Sequence, residues 1–336
     1  MTVSIIHVAN KANVSRMTVT RVMRGEDTVS PETRDRVLHA MQELGYVPSP
    51  AARAMRSKDK LRSQTSLCFA LIFGSDTQLA DGFFCDIARG AEEQASKFGI
   101  CPLQVHWQNT FEASWSRMQS VFAIKGLCGA VLVGQFREEE VRAILQHTEH
   151  VVIVDGPAPA NLPVASVESE NYGGCRLALE HLYEKGSRRV LVLAGPRDHY
   201  FSKAMVLAAE SLRERFEVLE IIHTDYTCAA GSGIVHDLRG KGKRFNGIFG
   251  NDELAVGALR ALSDLKVPVP GLIRVIGFDD IPHGEFTVPR LTSISVDKKQ
   301  LGREAVTSLV EMTRGQMGVD QVKKVIRAKL VVREST

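Results

Sequence analysis

The chain has 336 residues, of which 44% are hydrophobic and 24% are charged, and its formal net charge is +3. This length suits two or three ordinary soluble domains, and it excludes a small protein that depends on disulfides or a metal for stability. The sequence shows no export signal and no apolar run long enough to span a membrane, so we expect a cytoplasmic protein without membrane contact. The six cysteines form no C-x-x-C pair, and we expect small buried side chains in a reducing compartment.

The charge is distributed unevenly along the chain. Residues 1–63 carry 11 basic and 6 acidic side chains, a net charge of +5. The remaining residues carry 31 basic and 33 acidic side chains, a net charge of −2. A basic end on a nearly neutral body is typical of a nucleic-acid-binding module attached to another domain.

Three short helices are predicted within the first 45 residues. The first covers 5–11, and the second covers 16–23 with Ser15 as its N-cap; Asn13 lies in the turn between them. The third begins at Pro31, directly after Ser30 as its N-cap. Two helices joined by a short turn and packed on a third form a helix-turn-helix unit. The side chains expected to face inward are Ala9, Val14, Val19, Val22, Val37, Leu38, Met41 and Leu44.

The second helix of such a unit enters the major groove of DNA, and its N-terminal side chains meet base edges. The candidates for base reading are Arg16, Met17 and Arg21. Arginine can bond two acceptors of guanine, whereas methionine can only contact apolar groups such as the thymine methyl. Hydroxyl groups suit phosphate contacts, and the candidates are Ser4, Ser15, Thr18, Thr20, Ser30 and Thr33.

From residue 66 onward, short apolar runs alternate with amphipathic segments, which predicts parallel sheets covered by helices. The predicted strands are Leu67–Phe73, Pro102–His106, Ala130–Gly134, Val151–Asp155, Val190–Ala194, Ile248–Gly250, Val275–Phe278 and Lys329–Val332. The predicted helices lie near 84–98, 112–124, 138–147, 171–185, 203–215, 252–265 and 298–313. No nucleotide-binding, metalloprotease or serine-hydrolase motif accompanies them, so we expect no enzyme, no metal and no cofactor.

The segment VANKANVSRMTVTRVMRGEDTVSPETRDRVLHAMQELGYVPSPAARAMRS resembles the headpiece of the LacI/GalR family of bacterial regulators. Further matches, such as GAVLVG, RVIGFDD and the closing KLVVREST, extend the resemblance over nearly the whole chain. Two departures are His7, where the family has an acidic residue, and Asn13, where it has a turn glycine. The resemblance implies an all-α helix-turn-helix headpiece and an α/β periplasmic-binding-protein-like core of two doubly wound lobes.

The resemblance also implies the order of domains. The headpiece covers 1–48 and a hinge covers 49–65. The first lobe combines 66–165 with 297–325, and the second lobe, which binds effector and dimerises, combines 166–296 with 326–336. In the family the hinge forms a helix that enters the minor groove at the operator centre, where an apolar side chain wedges between base pairs. The residues matching this role are Ala52, Arg53, Met55 and Arg56.

Polar side chains at the carboxyl ends of parallel strands suit the hydroxyl groups of a sugar. The residues expected to bind effector are Phe84, Asp155, Lys203, Tyr226, Asn251 and Asp279. Each polar candidate is alternatively a helix cap or loop residue, and for Asp252 we expect the cap. Met205 stands where the family usually has an arginine that clamps the ligand. Either the ligand differs, or Lys203 or Arg197 substitutes for the arginine, or the effector response is weakened or lost.

The sequence therefore predicts a transcriptional regulator, with repression expected, that binds a palindromic operator as a homodimer and responds to a small-molecule effector such as a sugar. A tetramer is not expected, because no heptad helix follows the final strand. Three alternatives remain: a regulator with altered or lost effector response, an architectural DNA-binding protein, and a sugar-binding or sugar-processing protein with a similar core. Ligand-dependent release of DNA would distinguish the effector-responsive regulator from the architectural protein, which ignores small molecules.

Replacement of Met55 by glycine tests the hinge hypothesis. We expect Met55→Gly to lower both operator affinity and operator bending, because glycine offers no apolar side chain to separate the base pairs. Binding titration and a circular-permutation bending assay measure the two effects. If neither changes, Met55 is not the wedge.

Overall fold

The computed structural model describes residues 5–24, 29–44, 67–74, 82–107, 111–318 and 323–336. The chain forms two compact units, residues 1–67 and residues 68–336. Ser4 and the hinge candidates Ala52, Arg53, Met55 and Arg56 lie outside the described residues. Among the helices that are described, none combines the length and the apolar character needed to cross a bilayer.

The first unit contains the helices α1 (Ile5–Ala12), α2 (Arg16–Arg24) and α3 (Pro31–Glu43). Its core consists of Val8, Ala9, Ala12, Val19, Val22, Val37 and Ala40. The prediction that Leu38 faces inward is wrong, since the residue is 50% exposed. Val37 and Ala40 lie three residues apart on the same face of α3, whereas Leu38 lies about 100° further round the helix.

The turn and the helix starts follow the predicted chemistry. Asn13 has a φ of +52°, the left-handed conformation that asparagine tolerates better than most residues. The Ser15 Oγ accepts a hydrogen bond from the Thr18 amide at 3.1 Å, and the Ser30 Oγ accepts one from the Thr33 amide at 3.4 Å. These bonds satisfy amides that have no partner inside their helix.

The second unit contains two six-stranded sheets. The strands are β1 (Cys68–Phe73), β2 (Cys101–His106), β3 (Leu127–Val133), β4 (Val151–Val154), β5 (Ala165–Ser169), β6 (Arg189–Ala194), β7 (Val218–His223), β8 (Gly247–Gly250), β9 (Arg274–Asp279), β10 (Thr292–Val296), β11 (Lys323–Ile326) and β12 (Ala328–Val331). The first sheet has the order β11-β5-β4-β3-β1-β2, and the second has the order β12-β10-β9-β8-β6-β7. Among the described strands, all pairings are parallel except that of β10 with β12. We call the two halves built on these sheets the first and second lobes.

The helices of this unit are α4 (Gly82–Phe98), α5 (Phe111–Phe122), α6 (Glu138–Leu145), α7 (Asn171–Glu184), α8 (Tyr200–Ser211), α9 (Cys228–Gly240), α10 (Asp252–Asp264) and α11 (Lys298–Thr313). Helix α11 follows β10 of the second sheet but packs on α4 and on strands of the first sheet. Two glycines allow the close approach of α11 and α4. A Cβ on Gly90 would lie 2.0 Å from the Lys299 carbonyl oxygen, and one on Gly302 would lie 2.0 Å from that of Ile87.

Several elements were not predicted. The strands β5, β10 and β11 have five residues or fewer, β7 has six, and polar residues interrupt the apolar pattern of each. Because β5 pairs with β4, the predicted boundary at 165 falls inside a strand of the first lobe. Helix α9 contains Gly231, Gly233 and Gly240, which disfavour a helix locally, but Gly231 packs against the Leu254 carbonyl of α10.

The cysteines are less uniform than expected. Cys68 and Cys175 are buried, as predicted, whereas Cys101 is exposed and the others are intermediate. Cys101 is the first residue of β2, the outermost strand in the order of the first sheet, so less of the protein covers it. The expectation of buried thiols therefore holds for Cys68 and Cys175 and is wrong for Cys101.

The close contact between α4 and α11 can be tested with Gly302→Ala. The added methyl group meets backbone, which cannot rotate away, so we expect a loss of about 1–3 kcal/mol in the free energy of unfolding. Gly233→Ala is the matched control, because nothing lies within 4 Å of its added Cβ and alanine is the better helix former. Urea unfolding measures both variants. If Gly302→Ala and Gly233→Ala have the same free energy of unfolding, α4 and α11 can move apart without a loss of stability.

Candidate DNA-reading face and interlobe cleft

Helix α2 presents the three base-reading candidates on its outer side. Met17 is 64% exposed, and Arg16 and Arg21 are exposed as well. Val19 and Val22 are buried on the opposite side, so packing determines which face of α2 remains accessible. The arrangement suits insertion of a helix into a groove, and the reading of bases by these residues stays a prediction.

The hydroxyl groups proposed for phosphate contact already have partners. The Ser15 and Thr18 hydroxyls lie 2.9 Å apart, and the Ser30 hydroxyl donates to the Thr33 hydroxyl at 2.9 Å. The Thr20 hydroxyl donates to the Arg16 carbonyl at 3.0 Å. Since phosphate oxygens only accept hydrogen bonds, a contact by Thr20 requires its hydroxyl to turn away from the helix. These phosphate contacts remain predictions.

Asp155 lies at the carboxyl end of β4, with a φ of +51° and only 4% of its surface exposed. The Ser169 hydroxyl, from the same lobe, donates to its Oδ1 at 2.9 Å. The Tyr200 hydroxyl, from the second lobe, donates to its Oδ2 at 2.5 Å. Both carboxylate oxygens therefore have donors within the protein, one from each lobe.

A second contact across the cleft lies beside the first. Gln135, just after β3, accepts a hydrogen bond from the Tyr200 amide at 3.1 Å and donates one to the Asp198 carbonyl at 3.5 Å. Helix α11 provides a third contact, because the Lys298 amino group donates to the carbonyls of Asp279 and Asp280 at the end of β9. The carboxyl ends of strands from both sheets thus lie together, where parallel α/β sheets bind ligands.

Tyr226 forms part of an aromatic wall in the second lobe. Its hydroxyl lies 2.6 Å from the Ser202 hydroxyl, and burial raises the pKa of the phenol. Its ring centroid lies 5.3 Å from that of His199 and 6.2 Å from that of Phe201. A Cβ on Gly195 would come within 1.9 Å of the Tyr226 ring, so glycine is needed there. The rings meet edge to face and tilted rather than coplanar, and stacking of Tyr226 on a ligand stays a prediction.

Asn251 and Asp252 begin helix α10. The Asn251 side chain accepts a hydrogen bond from the Leu254 amide at 3.1 Å, so it caps the helix, and its amide nitrogen is not part of this bond. Asp252 accepts from the Ser293 hydroxyl at 2.6 Å and from the Ile281 amide at 2.7 Å. Burial raises the pKa of Asp252 to about 7, although these two bonds act in the opposite direction.

Asp279 and Asp280 form a strained corner at the end of β9, with φ values of +109° and +53°. Arg333 donates to the Asp280 carboxylate at 2.7 Å, and Lys298 contacts both carbonyls. Asp252 holds the next residue, Ile281, by its amide. These contacts keep Asp279 in position at the cleft, and its role toward a ligand stays a prediction.

The remaining effector candidates make fewer side-chain contacts among the described residues. Lys203 is exposed on α8, and Met205 is completely buried in the same helix, where it contributes to packing. Arg197 is exposed in the preceding loop. Phe84 is half-buried and meets Phe83 edge to face at 5.3 Å. Nothing in these contacts makes Lys203 or Arg197 a substitute for the missing arginine.

The sequence interpretation missed Tyr200, Gln135 and Lys298. Tyr200 and Lys298 are the first residues of α8 and α11, each placed just after a strand of the second sheet ends. The position of Tyr200 and Lys298 at the starts of these helices could have identified them from the sequence, because the starts of such helices line the cleft. Gln135 carried no comparable signal.

The family model described as "Bacterial regulatory proteins, lacI family" matches residues 4–49, and the "Periplasmic binding protein-like domain" matches residues 179–336. The HTH-type transcriptional regulator CelR of Thermobifida fusca is 30% identical over 344 residues, with 98% of this chain and 96% of that protein covered. The chain belongs to the LacI family of bacterial transcriptional regulators. As a LacI-family regulator it is a DNA-binding protein and not an enzyme.

Other relatives agree with this assignment. The repressor CytR of Escherichia coli (strain K12) is 29% identical, with 98% of this chain and 95% of CytR covered. The solved transcriptional regulator CelR–cellobiose complex has a TM-score of 0.72 at 27% identity, covering 99% of this chain and 100% of that chain. A lac repressor dimer bound to operator and an anti-inducer also has a TM-score of 0.72, but at 24% identity it shows the fold alone. The predicted fold class of headpiece and two α/β lobes is thereby confirmed.

The buried carboxyl of Asp252 generates a pH prediction. Its pKa of about 7 lies above the value of about 3.9 in an unfolded chain, so the folded protein keeps a proton that the unfolded chain releases. Stability should therefore fall as pH rises from about 4 to about 7, and Asp252→Asn should remove this contribution, at most about 1.4 kcal/mol per pH unit.

Urea unfolding of the wild type and of Asp252→Asn across this range measures the difference. Asp264→Asn, at the other end of α10, controls for the loss of one negative charge from the same helix. Parallel pH profiles for the wild type and Asp252→Asn would show that Asp252 does not titrate there.

Proposed function

We propose that this LacI-family regulator binds a pseudo-palindromic operator as a homodimer and that a neutral, hydroxyl-bearing ligand in the interlobe cleft changes its DNA affinity. The outer face of α2 is the observation that supports DNA binding in this proposal. Two arginines and an exposed methionine stand there on a helix whose start is capped and whose other face is buried. A rigidly held helix with arginine at its N-terminal end suits direct reading of guanine.

The dimer is supported by an apolar patch on the second lobe. Phe286 and Val288 follow the short 3-10 helix Pro282–Glu285, and they are 83% and 90% exposed. Two neighbouring large apolar side chains with this exposure indicate a surface that another protein covers. A second copy is the proposed partner, because two-fold symmetry would match two operator half-sites. Sedimentation of Phe286→Ser should then show more monomer, whereas Leu207→Ser, a 62% exposed residue of α8, serves as the control.

The effector part is supported by the composition of the cleft. Carboxylates of Asp155 and Asp279, the side chain of Asn251 and the ring of Tyr226 all stand at or just after strand ends. Carboxylates and amides bond sugar hydroxyls, and aromatic rings stack on sugar faces. The relative CelR is found in complex with cellobiose, and another relative, from Halalkalibacterium halodurans, is named ribose operon repressor.

A regulator that acts without effector is the second candidate. Met205 is packed in the core where the family usually has an arginine, and Asp155 is already bonded by Tyr200. Calorimetric titration of the full chain with ribose, cellobiose and other mono- and disaccharides separates the two. Binding that also changes the DNA affinity supports the effector, and no binding by any of these sugars would contradict it.

Arg21→Ala tests the reading face. We expect a loss of about 1–3 kcal/mol in operator binding together with relaxed specificity at one base pair, because a base contact is removed. Selection of bound sites from random DNA, followed by titration, measures both effects. Arg36→Ala, an exposed arginine of α3, removes the same charge from another helix and should preserve the sequence preference. A variant Arg21→Ala that selects the same sites as the wild type would exclude Arg21 from base reading.

A further inference from the structure

We propose that Tyr200 is an intramolecular ligand of Asp155 that latches the two lobes together, in the place where an effector hydroxyl would bind. This inference rests on the proposed effector cleft. The phenol comes from the start of α8 in the second lobe, and the carboxylate comes from the end of β4 in the first lobe. A hydroxyl that donates to a carboxylate is the same contact that a sugar would make.

The bond has the features of a strong contact. At 2.5 Å it falls at the short end of hydrogen bonds between a hydroxyl and a carboxylate. Asp155 is 4% exposed, so little water competes with the phenol. The Ser169 hydroxyl holds the other oxygen and directs the carboxylate toward the second lobe. Opening the cleft would take the Tyr200 hydroxyl away from the Asp155 carboxylate.

The backbone of Tyr200 adds to the latch. The first amides of a helix have no acceptor within that helix, and the Tyr200 amide finds one in the Gln135 side chain of the first lobe. Gln135 in turn donates to the Asp198 carbonyl, two residues before Tyr200. The side chain and the backbone of Tyr200 thus both form hydrogen bonds to the first lobe. The start of α8 therefore moves with the first lobe when the cleft is closed.

The latch also restricts the ligand. A ligand that takes the place of the phenol must offer a hydrogen-bond donor to Asp155, which a neutral sugar hydroxyl does. An anionic group at this point would face the negative charge of the Asp155 carboxylate, and Met205, buried in the core, offers it no charge in compensation. Tyr200 and Asp155 therefore favour neutral hydroxyl-bearing ligands over phosphorylated or carboxylated ones at this end of the cleft.

Hydrogen–deuterium exchange on the full chain tests the latch without any ligand. In Tyr200→Phe the phenol hydroxyl is removed and the ring is kept, so we expect exchange at the amides of 199–203 to rise about tenfold or more. Asp155→Asn should act in the same direction, because the acceptor loses its charge while its shape is kept. Tyr183→Phe, on α7, is the matched control and should exchange as the wild type does, because its ring lies against Arg188 and Arg215.

Thermal unfolding of each variant shows whether the fold is retained, and small-angle scattering reports the opening of the lobes. Unchanged exchange and an unchanged radius of gyration in both Tyr200→Phe and Asp155→Asn would overturn the latch. Because these measurements use no sugar, they decide the latch separately from the proposed effector, which depends on the calorimetric titrations.

Discussion

The contact between helices α4 and α11 is the constraint on which the arrangement of the core depends. Gly90 and Gly302 allow backbone to approach backbone, so α11 is fixed on the first lobe although the chain has just left β10 of the second. The chain then returns to β11 in the first sheet and to β12 in the second. Because the chain crosses in this way, the start of α11 lies at the cleft and Lys298 reaches the corner after β9.

The cleft is organised around carboxylates that already have partners. The Asp252 carboxylate accepts hydrogen bonds from the Ile281 amide and the Ser293 hydroxyl, and the Asp280 carboxylate forms an ion pair with Arg333. Asp155 is bonded from both lobes. A buried carboxylate without donors is costly, so any ligand has to replace the donors that it displaces. The competition between internal and external donors, rather than an empty cavity, is the physical basis of the proposed response.

The headpiece follows local rules to an unusual degree. Caps at Ser15 and Ser30 and the left-handed Asn13 all agree with their residue types. Short-range chemistry therefore accounted for its three helices, and the assignment to the LacI family agrees with it. Leu38 is the exception, because the helical period alone did not resolve which of two adjacent apolar residues the other helices would cover.

The sequence by itself determined the fold class, most helices and the central strands, because apolar runs and capping residues act over a few neighbouring positions. It also indicated which residues follow the strands and so lie at the cleft, including Asp155, Asn251 and Asp279. Only the tertiary structure decided the partners of those residues. Tyr200 meets Asp155 across 45 positions of sequence, and Lys298 meets Asp279 across 19. Such contacts depend on how two lobes approach each other, which no local pattern of residues encodes.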